Sequence, residues 1–91
     1  MNFNQLSDKI SAKGYRRNAA ARTIMEDNGT FSKVYDFEHR KKLDMVSVYL
    51  DEFGLVKLVE YTKINFDPQT RGLSQKVTRF DNDTALFKFL A

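Results

Sequence analysis

Apolar residues near the start of the chain fall at Phe3, Leu6 and Ile10, the i, i+3, i+7 spacing of one helical stripe, and predict a helix over 3–13. Asn2 stands before it as an N-cap and Gln5 three residues later, the spacing of a capping box, and Gly14 ends it. Residues 15–27, YRRNAAARTIMED, combine an alanine run with arginines, both strong helix formers, and predict a second helix stopped by Asn28-Gly29. Its stripe is weak, because Arg17 falls between Ala21 and Ile24 on the helical wheel. Beyond it the period shortens to two. Phe31, Tyr35 and Phe37 share one face, and in DMVSVYL (44–50) Val46, Val48 and Leu50 oppose Met45 and Tyr49. His39 to Lys42 is a loop or strand end, and Asp51-Glu52-Phe53-Gly54 is a turn. LVKLVEYTKINF (55–66) reads as a long strand. Val56, Leu58, Ile64 and Phe66 lie on one face, and Lys57, Tyr61, Lys63 and Asn65 on the other with Val59. A loop from Asp67 to Gly72 leads to the last strand, SQKVTRF (74–80).

A short helix closes the chain, with Asp81 as cap, Asn82, Asp83 and Thr84 in its first turn, and Leu86, Phe89 and Leu90 as its apolar stripe. The expected fold is α+β: N-terminal helices, an antiparallel three- to four-stranded meander and a short C-terminal helix, in a single domain over 1–91.

Composition narrows the class. A chain of 91 residues has room for one core, and 42% hydrophobic residues with eight Phe are too many for a disordered chain. There is no Cys, hence neither a disulfide framework nor a thiolate metal site. No apolar run is long enough to span a membrane, and MNFNQLSDKI lacks the basic-then-apolar plan of a secretory signal, so a soluble, cytoplasmic protein is expected.

The net charge of +3 is unevenly placed. Residues 1–25 hold Lys9, Lys13, Arg16, Arg17 and Arg22 against Asp8 alone, while the remainder is close to balanced. A second cluster is His39-Arg40-Lys41-Lys42. Such clusters attract phosphates or acidic protein surfaces. Lys9, Lys13, Arg16, Arg17, Arg22, Arg40, Lys41 and Lys42 are therefore the candidate partner-binding residues.

Catalytic patterns fail one by one. His39 is the sole histidine, and with Asp36 and Glu38 it makes a poor metal cage; no metal or cofactor is expected. No Ser sits in a G-x-S-x-G setting, and the four dispersed glycines fit no phosphate-binding loop. Asp51-Glu52 and Asp81-x-Asp83 are accounted for by a turn and a helix start. A helix-turn-helix with Gly14 at its turn puts Lys9 and Lys13 where that motif packs apolar residues. Lys57, Tyr61 and Lys63, with Lys76 or Arg79 alongside, suggest a face that stacks bases, but no RNP-like motif accompanies them. An antiparallel sheet with one solvated face gives the same alternation. The expectation is a non-enzymatic binding protein with no small-molecule substrate and no membrane partner.

The organisation of residues 44–91, a meander VSVYLDEFGLVKLVEYTKINF, a further strand and a capped helix VTRFDNDTALFKFLA, resembles small phage-encoded inhibitors of the anti-CRISPR type. The resemblance is one of style and transfers no residue roles. It implies stoichiometric docking on a CRISPR–Cas effector, a ribonucleoprotein, that blocks target DNA recognition. The chain's basic balance disfavours duplex mimicry, so the contact would be an acidic protein surface or the guide RNA backbone, with Arg16, Arg17 and Arg22 as anchors. The alternative is a small basic protein that binds RNA or DNA directly.

Overall fold

The structure, a computed structural model, describes residues 2–39, 41–80 and 82–90, with Asp83 described by its backbone alone. Helix α1 (Phe3–Ala12) forms where the apolar spacing predicts it. Asn2 Oδ1 accepts the amides of Asn4 and Gln5 at 2.8 and 3.4 Å, which satisfies two of the otherwise orphaned donors of the first turn. The helix ends as Gly14 turns to φ +96°, a conformation that side-chain-bearing residues rarely adopt.

Residues 15–27 are strands, not the predicted second helix. β1 (Tyr15–Arg17) and β2 (Arg22–Met25) lie end to end along one edge of β3 (Phe31–His39), with Tyr15 opposite His39 and Arg22 opposite Val34. They are two halves of one edge strand, interrupted at residues 18–21, where the Asn18 amide still donates to the Asp36 carbonyl at 2.9 Å. Helix propensity is a matter of tenths of a kcal/mol per residue. Here it is overridden by the pairing that the edge of β3 offers and by Tyr15, Thr23 and Ile24, which suit a pleated surface. The alanines fall in the interruption. Asn28-Gly29 is the turn of the β2–β3 hairpin, with Gly29 at φ +84° and Asn28 Oδ1 accepting both the amide and the hydroxyl of Thr30.

β4 (Asp44–Leu50), β5 (Val56–Asp67) and β6 (Gly72–Phe80) complete an antiparallel sheet of six strands among the described residues, rather than three or four. β1 and β2 share the first edge, and β3, β4, β5 and β6 follow in order. α2 (Asp83–Leu90) comes next; the Ala85 amide donates to Asn82 Oδ1 at 2.8 Å, and Asp81, the expected cap, lies outside the described residues.

The two helices cover the same face of the sheet. Leu6 and Ile10 of α1 and Leu86 of α2 join Phe37, Val46, Val48, Val59, Tyr61 and Phe80 in one buried cluster. The alternation of β4 is as expected, and so is that of β5 from Leu58 onward, with the face of Val59 and Tyr61 as its core side and Val56 as the exception. Tyr61 and Val59 are core residues, so the basic–aromatic face loses its aromatic member to the core while Lys57, Lys63, Lys76 and Arg79 stay exposed. A register shift between Tyr49 and Leu50 sets Leu50 against Val56 and Tyr49 against Leu58, so Val56 packs on the core while Leu58 belongs to the opposite face.

At one margin of the core, Tyr15 and Tyr61 donate their hydroxyls to Asp44 Oδ2 at 2.9 and 2.6 Å. Burial, reinforced by the bond to Asp44, raises the ionisation of Tyr15 and pushes Tyr61 up to about 12. Groups raised above their unfolded value of about 10 stabilise the fold below that pH and withdraw the contribution as pH climbs through the folded value. Stability is therefore expected to fall above about pH 10. Tyrosinate absorbance from these two residues should emerge together with loss of the fold, and Tyr61→Phe should leave the alkaline limb shallower.

Candidate functional site

The open face of the sheet, away from the helices, carries a polar row that is largely neutralised from within. Asp36, Ser47, Glu60 and Arg79 follow one another across β3 to β6 in direct register. Arg22 closes the row with a forked contact to Asp36, 2.6 Å from Nε and 2.8 Å from Nη2, and Ser47 Oγ donates to the same carboxylate at 2.7 Å. Burial works to raise the Asp36 ionisation, but the Arg22 and Ser47 hydrogen bonds and the Arg22 charge outweigh it and hold the carboxyl below its ordinary value. At the far end Arg79 Nε lies 3.4 Å from Glu60. Arg22, one of the expected anchors, is thus engaged by this chain's own acid.

The other candidates separate by position. Lys9 lies over the Phe87 ring at 5.8 Å and Arg17 over Tyr35 at 5.6 Å, so both stems lie against aromatic residues bordering the core. Arg40 lies outside the described residues. Lys13, Arg16, Lys41 and Lys42 are exposed, on segments placed around His39 at one end of the sheet. His39 ends β3 opposite Tyr15, with their rings edge to face at 5.1 Å. Its Nδ1 accepts the amides of Lys41 and Lys42 at 3.0 and 3.2 Å, folding the β3–β4 loop back onto the strand. On the far side, a Cβ at Gly14 would stand only 2.8 Å from His39 Nε2, so the α1–β1 junction, with Lys13 beside it, fits against the ring only because residue 14 is glycine. One half-buried imidazole thus locates two segments far apart in sequence.

Two shallow hollows flank this post. Arg16, Asn18, Glu38 and His39 line one of about 370 Å³. The other, of about 270 Å³, has Leu43, Met45 and Ile64 among its walls, with Glu38, His39 and Lys42. The cationic end also receives two residues absent from the candidate set. Lys63 and Lys76 sit directly opposite each other on β5 and β6, in the row that begins at Asp44. The alternation of LVKLVEYTKINF exposed Lys63 to view, but only the register places Lys76 against it. The ion pairs among the described residues are Arg22–Asp36, Lys57–Glu26 and Arg79–Glu60, and none involves these lysines or Arg16.

A third hollow, of about 630 Å³, lies at the opposite end, where Asp51 and Glu52 stand among its lining residues with Phe31, Lys33 and Tyr35. No group of three or more metal-ligating side chains occurs among the described residues, and none of their helices is long and apolar enough to cross a membrane. Comparison with known proteins finds no matching family model, no matching curated protein and no matching solved structure.

Proposed function

We propose that this chain is a non-enzymatic docking protein that seizes a phosphate-bearing partner with the His39 end of its sheet, as an inhibitor of a nucleoprotein effector would. The reading is carried by one observation: Arg16, Lys41 and Lys42 are exposed around a fixed imidazole post, while Arg22 is committed to Asp36. Lys13 joins them from the end of α1. Four cations on short, anchored segments present a charge pattern suited to consecutive phosphates of an RNA backbone. The resemblance to anti-CRISPR inhibitors implies that the RNA would be the guide held by a CRISPR–Cas effector.

The first test is fluorescence anisotropy with a labelled single-stranded RNA 20-mer. The double variant Arg16→Glu/Lys42→Glu is expected to bind about tenfold or more weakly than the parent, because two phosphate contacts become repulsions. Arg22→Gln, by contrast, should lower stability with little change in affinity. Equal affinity of the parent and the double variant would remove this end from the interface.

A further inference from the structure

We propose that the outer edge of β6 is a strand-addition site for an extended segment of an acidic protein. Among the described residues no strand pairs with that edge, although β6 is nine residues long and pairs with β5 without a register break from Val59–Phe80 to Asp67–Gly72. It therefore offers a straight ribbon of unmet amides and carbonyls about 30 Å long, with no proline and no bulge to blunt it. Next to the ribbon, on the open face, Leu73 and Val77 are exposed, and Phe66 stands exposed opposite Leu73. An added strand would find both backbone partners and apolar neighbours there.

Charge decides the kind of strand. Lys76 is the midpoint of β6, so a second copy paired symmetrically and in full would set Lys76 against Lys76. Like charges directly opposite are unfavourable. The cross-strand row already runs Asp44, Lys63, Lys76, ending in two adjacent ammonium groups. A carboxylate at the next place in that row stands beside Lys76 and offsets the like charges of Lys63 and Lys76. β6 itself contains Lys76 and Arg79 and no acid. The matching segment is thus extended, apolar where it faces Leu73 and Val77, and acidic where it faces Lys76. The edge shares Lys76 with the cationic end, but the inference rests on the unpaired backbone of β6 and does not depend on phosphate binding at His39.

The full chain is titrated with three synthetic nonapeptides. One has valine facing Leu73 and Val77 and glutamate facing Lys76, one replaces the glutamate by lysine, and one has prolines at alternate positions. The glutamate peptide should bind about tenfold tighter than the lysine peptide and slow amide exchange in β6, and the proline peptide should do neither. Lys76→Glu should reverse the preference, whereas Arg16→Glu/Lys42→Glu should leave it intact. Equal binding of all three peptides, or unchanged β6 exchange at saturation, overturns the proposal. So does a parent chain that is dimeric with its β6 amides already protected, since the occupant is then a second copy.

Discussion

Replacing Phe37 by alanine is expected to lower stability by about 3–5 kcal/mol. Phe37 is fully buried, it is the largest of the fully buried side chains, and it lies in the cluster that joins the sheet to Leu6, Ile10 and Leu86 of the two helices. The loss combines the transfer of a benzyl group with a void that the rigid neighbours on β4 fill only in part. A domain of this size has roughly 5–13 kcal/mol of stability in total. The thermal midpoint should fall by at least about 12 °C, on a scale of about 4–8 °C per kcal/mol. Denaturant titration reads the change directly, with an unaltered slope if the native surface is kept. A loss below about 1 kcal/mol would mean that the helices do not close over the sheet as described.

Asp36→Ala comes second, with an expected loss of about 2–4 kcal/mol. The Asp36 side chain is 8% exposed and receives two bonds from Arg22 and one from Ser47, so its removal strands a buried hydroxyl and frees a guanidinium. Arg22 is half exposed, at 49%, and can be rehydrated, which keeps the figure below that of a fully buried pair. The same residue sets an acid limit. Its folded ionisation is depressed, so its contribution is present above the unfolded value near 4 and is lost as pH falls through the folded value. The parent should lose stability below about pH 4, and Asp36→Ala should flatten that limb as well as lower the plateau. An unchanged acid limb in the variant would show that other carboxylates govern it.

The two substitutions mark what could and could not be read from the residues. The core face of β4 and the buried Phe37 follow from simple alternation, and α1 follows from Phe3, Leu6 and Ile10 with their Asn2 cap. Asn28-Gly29 was legible as a stop, but it serves a hairpin and not a helix, because positive φ suits both and only the partner strand decides. The weak stripe of YRRNAAARTIMED was the warning: Arg17 sits badly on a helical wheel, yet as a strand residue it lies opposite Phe37 without conflict. The Tyr49–Leu50 register shift left no sequence signature, and it moved Val56 onto the core face and Leu58 to the other. The candidate cations were found by type, but their fates depended on long-range pairing. Arg22 meets Asp36 fourteen positions on, while Arg16 and Lys42 reach the same end of the sheet, each lining a hollow beside His39, because β1 pairs with the end of β3.

The gathering of cations at the His39 end is tested most directly by the ionic-strength dependence of RNA binding. With four phosphate contacts, log K for the single-stranded 20-mer should fall against log salt with a slope of about −3. Arg16→Glu/Lys42→Glu should reduce that slope to about half. A parent slope near zero, or a slope identical in parent and variant, would contradict the account.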